Sequence, residues 1–121
     1  MVYTYPNCDI NGVLYDIVFV DNLQSESDED GIQELSGRVK YGEAIIEISR
    51  QVPERLVPNI LLHEAIHAIL YQAGHVEHDE GLVVCLAYAI RELMMRNLWL
   101  AELLQPNVSC GNGAQDDDQG A

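Results

Sequence analysis

The sequence predicts an α+β fold, and three observations carry that reading. An Asn-Gly pair, Asn11-Gly12, separates two apolar stretches near the start. Residues 37–49 alternate apolar with polar side chains, and beyond Pro53 apolar residues recur at the three- and four-residue spacing of a helix. A chain of 121 residues holds one domain with one core, here placed at residues 1–104.

In chain order, Asn11-Gly12 supplies the two positive φ angles of a tight hairpin turn, so "CDI" and "VLYDIVFV" form a first hairpin. Residues 22–36, including "LQSESDEDGIQELS", are polar and acidic with no sustained period, and are expected to be a mobile loop. Order resumes at "GRVKYGEAIIEIS". There Val39 and Tyr41 alternate with Arg38 and Lys40, and Ala44, Ile46 and Ile48 alternate with Glu43, Ile45, Glu47 and Ser49. This is a second hairpin, turning near Gly42. Together the hairpins give a small antiparallel or mixed sheet.

A helix follows from Pro53 or Pro58 to Ala73, because proline is tolerated only in a first turn and Gly74 is a good stop. After the connection "HVEHD", Asp79 suits the N-cap of a second, long helix reaching about Leu104. Its inward positions are Val83, Leu86, Ile90 and Leu93, with Asn97 as a polar exception. Residues 105–121, dominated by Pro, Gly, Asn and Asp, are expected to be a disordered acidic tail.

Six basic against twenty acidic residues give a net charge of −14, which repels a phosphate backbone and argues against direct nucleic-acid binding. The acidic clusters, Glu26 to Glu34 and Asp116 to Asp118, read as a solvated loop and tail rather than a recognition surface. No segment approaches the roughly eighteen uncharged apolar residues of a membrane span, and the start lacks a secretory signal pattern. Three scattered cysteines, Cys8, Cys85 and Cys110, fit free thiols in a reducing compartment. The expected location is therefore cytoplasmic, where the "NVS" sequon at Asn107 carries little weight.

The chemistry centres on "LHEAIH". On a helix, His63 and His67 point the same way, so each can place a nitrogen about 2 Å from one metal ion. Glu64 lies roughly 100° round the helix from His63, beside such a metal, where its carboxylate can take a proton from a water that zinc has acidified. A third protein ligand should come from His75, Glu77, His78, Asp79 or Glu80. Glu80 is preferred, since it starts the returning helix on the face of Val83 and Ala87. His78 is second, and Asp79 third because capping already explains it. His75 does not match the "HExxHxxGxxH" spacing, and Leu70 stands where that pattern needs glycine.

The competing reading is a core helix whose histidines are satisfied by protein hydrogen bonds. Against it, two imidazoles and a carboxylate are costly among Ile60, Leu61, Leu62, Ile66, Ile69 and Leu70 unless something satisfies them, and a metal does. Tyr15, Tyr41 and Tyr71 could each donate to an oxyanion but read first as core or rim aromatics. Cys85 reads as a small packed residue, and Met94 and Met95 as packing.

"LLHEAIHAIL", preceded by the two hairpins and followed by "HDEGLVVCLAYAI", resembles the compact zincin metallopeptidases of the gluzincin type. Within that group it is similar to the short phage and mobile-element proteins related to the ImmA/IrrE metallopeptidases. The likeness covers about Ile10 to Arg96. It implies a minimal zincin-like fold, with the small sheet over the active-site helix and an edge strand within residues 37–49 that binds an extended peptide. It also implies zinc held by His63, His67 and Glu80, with Glu64 as general base.

The expected function is then a zinc-dependent peptidase acting on a protein or peptide in the bacterial or phage-infected cytoplasm. With no helix-turn-helix attached, a link to a DNA-bound repressor is not expected. Two other readings stand beside it. One is a catalytically silent, zinc-stabilised module that captures an extended peptide on its sheet edge, and the other is a metal-free α+β interaction protein.

Overall fold

In the computed structural model, which describes residues 5–27 and 31–106, the chain is α+β with a mixed four-stranded sheet. Strand β1 (Cys8–Ile10) pairs antiparallel with β2 (Val13–Val20). Asn11 and Gly12 take φ of 52° and 93° between them, and the Gly12 amide donates to Asp9 Oδ1 at 2.8 Å. The expected first hairpin therefore forms, and for the expected reason.

Residues 22–36 differ from the expected loop. Here β3 (Gln24–Ser27) and β4 (Gly31–Glu34) pair antiparallel with Gln24 opposite Glu34, and the Leu35 amide extends the ladder to the Leu23 carbonyl at 2.9 Å. Pairing depends on main-chain groups, whereas the sequence signal depends on an apolar face, and a run of Gln, Ser and Glu carries none. Leu23, 3% exposed, anchors the ribbon. The acidic residues Asp28 to Asp30 fall outside the described residues, as does the tail from Asn107 with Cys110 and Asp116 to Asp118.

The second expected hairpin is β5 (Gly37–Lys40) with β6 (Ile45–Ser49). They are joined through a 3-10 turn at Tyr41–Glu43 and a left-handed Ala44, at φ 55°. The strand order is β1-β2-β6-β5, with β2 and β6 parallel at the centre. Strand alternation turns Tyr15 on β2 and Ile46 and Ile48 on β6 towards the core they share with Ile10, Val57 and Ala68. Each fully buried aliphatic side chain, such as Ile46 or Ile48, contributes about 1.5–3 kcal/mol.

Helix α1 (Val57–Gln72) has Pro58 in its first turn and ends before Gly74, whose φ is 98°. The helix packs on β5 and β6 and reaches β1. Its inward stripe runs Val57, Ile60, Leu61, Glu64, Ala65, Ala68, so Glu64 falls on the face that meets the sheet.

Helix α2 (Glu80–Arg96) starts where Asp79 Oδ1 accepts the Leu82 amide at 3.2 Å, the expected N-cap. It buries Val83 and Ala87, while Leu86 and Leu93, expected to face inward, are 37% and 47% exposed. Nor does the helix continue to Leu104. Asn97 leaves helical geometry at φ −135°, its side-chain amide donating to the Leu93 carbonyl at 2.9 Å, and a separate helix α3 (Leu98–Leu103) follows. Asparagine competes for backbone partners in this way, and the apolar period on either side of it conceals the break. By their contacts the described residues form two compact units, with the boundary between Ala89 and Ile90. The sheet and α1 belong to the first, and α3 to the second. No described helix is long and apolar enough to cross a membrane.

Candidate metal centre

The helical spacing of four sets the His63 and His67 rings side by side, centroids 5.0 Å apart and inclined by 59°. Beyond α1, the His75 amide returns to the Leu70 carbonyl at 2.9 Å and the Gly74 amide to that of Tyr71 at 3.0 Å, so the chain reverses at once. The reversal delivers Glu80, first residue of α2, to the histidines. Its Oε2 lies 2.8 Å from His63 Nε2 and its Oε1 3.0 Å from His67 Nε2. One nitrogen from each histidine and one Glu80 oxygen all lie within 4.8 Å of one another, a group that could hold a metal ion.

The donor set fits a divalent cation of zinc's type. Two imidazole nitrogens and one carboxylate oxygen are ligands zinc accepts, and bonds of about 2.0–2.2 Å at tetrahedral angles need ligand atoms roughly 3.3 Å apart. The two measured contacts lie a few tenths of an ångström inside that spacing. His67 has its proton affinity lowered, first by burial, then by the neighbouring imidazoles, although Glu80 pulls the other way. A neutral imidazole is the form that binds a metal.

Glu64, next to His63, is 8% exposed. Burial, and then the negative charge of Glu80, raise its pKa from the ordinary 4.5 to about 7. No ion pair among the described residues includes it. What lets α1 bring this carboxylate so close to the sheet is Gly37 on β5. A Cβ there would stand 2.8 Å from Ile60 Cγ2 and 3.1 Å from both Cγ and Oε2 of Glu64.

At the rim, Tyr41 stacks on Tyr71, centroids 4.1 Å apart and rings 9° from parallel. Burial and then the Glu64 carboxylate push the Tyr41 hydroxyl up, which keeps it a donor at neutral pH. Of the three tyrosines weighed from the sequence, Tyr15 is core, at 2% exposed.

The structure thus brings His63, His67 and Glu80 together, with Glu64 beside them. Asp79 caps α2 and does not join them. His78 does not reach the group with a ligand atom; its Nδ1 instead lies 2.7 Å from His67 Nδ1, and its Nε2 bonds the His75 carbonyl. Two contributors escaped the sequence. Gly37, the first residue of β5, carries no turn signal in the sequence, and the contact of His78 with His67 Nδ1 depends on a chain reversal that spacing alone does not fix. No protein-family model, curated protein or solved structure matches the chain.

Proposed function

We propose that the chain is a zinc-dependent metallopeptidase of the compact zincin type, hydrolysing peptide bonds of a protein or peptide substrate. The convergence of His63, His67 and Glu80 on one point, with the buried Glu64 carboxyl alongside, is the observation that carries this reading. When bound, zinc supplies an acidified water and polarises the carbonyl under attack. Glu64 takes the proton from the attacking water and later returns it to the leaving amine. A carboxyl that titrates near neutrality suits both steps.

Strand β5 ends the four-stranded sheet and carries Gly37 directly against Glu64, so an extended peptide adding there as a further strand would run past the site. The Tyr41 hydroxyl is available at the rim as a donor to developing negative charge. The free thiols Cys8 and Cys85 fit a reducing compartment, and together with the zincin resemblance support the bacterial or phage-infected cytoplasm.

The test combines metal analysis with a peptide-library assay. Zinc should bind one per chain; His63→Ala should lose both zinc and cleavage, and Glu64→Gln should keep zinc while cleavage falls by roughly 10²–10⁴-fold. Zinc binding without any cleavage would leave the silent peptide-capturing module, and no zinc binding would remove both readings.

A further inference from the structure

We infer that His78 is a positioning residue for the metal centre: it fixes the tautomer and orientation of His67 through a hydrogen-bond relay anchored on the His75 carbonyl. This rests on the metal reading proposed above. The His75 carbonyl can only accept, so His78 Nε2 carries the proton of that bond. A neutral His78 then has a bare Nδ1, which faces His67 Nδ1 at 2.7 Å. One proton must lie between them, and it belongs to His67 Nδ1.

With Nδ1 committed to His78, His67 meets the metal site through Nε2, which lies 3.0 Å from Glu80 Oε1; without a metal that contact is bridged by a proton, and a bound cation would take the proton's place. Donation from Nδ1 with Nε2 turned to the site is the arrangement a metal-ligating histidine requires. The ring geometry agrees. Centroids of His67 and His78 stand 5.0 Å apart with planes 23° from parallel. The separation is about the 2.7 Å between the facing nitrogens plus the two ring radii, so the bond runs along the line of centres.

Two local features hold the relay in place. The His75 amide is tied to the Leu70 carbonyl at the end of α1, which fixes the accepting carbonyl. Asp79 then caps α2 immediately after His78. One reversal of five residues, Gly74 to His78, therefore supplies both His78 and the carbonyl that anchors it, and leads through Asp79 to Glu80. Histidine ligands in metal sites commonly donate their second nitrogen to a carbonyl or carboxylate, and losing that partner costs about 10–100-fold in metal affinity. Here a second imidazole spans the gap to the carbonyl.

The experiment uses the full chain and Zn²⁺ alone. Zinc affinity is measured by chelator competition for wild type, His78→Ala and His78→Asn, and ring ¹⁵N shifts of His67 are recorded on metal-free wild type. His78→Ala should weaken zinc binding by about 10–100-fold. His78→Asn, whose side-chain oxygen can still accept from His67 Nδ1, should recover part of that loss. His67 should show a protonated Nδ1 before any metal is added. Unchanged affinity in His78→Ala, no recovery with Asn, or a His67 protonated on Nε2 alone would each overturn the inference. Wild type that binds no zinc would instead refute the metal reading, and the ¹⁵N result would still decide the relay.

Discussion

Two glutamates in this molecule have the same low solvent exposure and meet opposite fates. Glu47 on β6 and Glu64 on α1 are each 8% exposed. At Glu47, burial pushes the carboxyl up, but Arg38 at 2.7 Å and Lys40 at 3.4 Å outweigh it and hold the group below its ordinary value. At Glu64, burial and the neighbouring Glu80 act in the same direction, and the pKa rises to about 7. Low exposure alone thus does not set a carboxyl's proton affinity; Glu64 also lies deeper among protein atoms than Glu47 and has no cation beside it. The fold supplies Glu47 with two fixed cations, whereas beside Glu64 it gathers His63, His67 and Glu80, a group that could hold one.

The largest test of that contrast is Glu64→Gln in excess chelator. Folded Glu64 keeps its proton to a higher pH than the unfolded chain, so the folded state binds more protons between about pH 4.5 and 7, and stability falls as pH rises through that window. Glu64→Gln removes the slope. Urea unfolding at pH 8 should find the metal-free variant more stable by about 3 kcal/mol, with the two proteins converging near pH 4. A variant no more stable at pH 8 would mean that Glu64 is not desolvated.

Next in size is Gly37→Ala. The added Cβ meets the Ile60 and Glu64 side chains inside contact distance, so those side chains or the backbone carrying them must shift, costing about 2 kcal/mol in the same unfolding assay. A neutral substitution would show that α1 and β5 are not held at this separation. The smallest effect belongs to Glu47→Gln. Its partners are more than a third exposed and solvent screens the pairs, so the loss should be about 1 kcal/mol at pH 7. Because the Glu47 pKa is depressed, that loss is present in full above about pH 4.5 and fades as pH falls below it, the reverse of the Glu64 profile. Chelator should leave the Glu47 effect unchanged.

Both hairpins of the sheet, α1 and the start of α2 were legible because each has a local cause: Asn11-Gly12, the alternation through Ile46 and Ile48, Pro58 with Gly74, and the Asp79 cap. The grouping of His63, His67 and Glu80, which could hold a metal ion, was legible too, since a spacing of four fixes His63 beside His67 and an immediate reversal leaves Glu80 first on the returning helix. What the sequence concealed depends on non-local or main-chain geometry. The β3–β4 ribbon has no apolar face, Asn97 interrupts a period that continues past it, and the need for glycine at position 37 exists only once α1 lies against β5. The role of His78 was concealed differently, because its residue type suits a ligand and only the distance to His67 Nδ1 assigns it otherwise.

The central claim, that this fold clasps a divalent cation between α1 and the first residue of α2, is tested most directly by diffraction at the zinc edge from crystals grown with zinc. One anomalous peak should lie about 2.0–2.2 Å from His63 Nε2, His67 Nε2 and a Glu80 carboxylate oxygen. Density there without an anomalous peak, with both imidazoles bonded only to protein atoms, would contradict it.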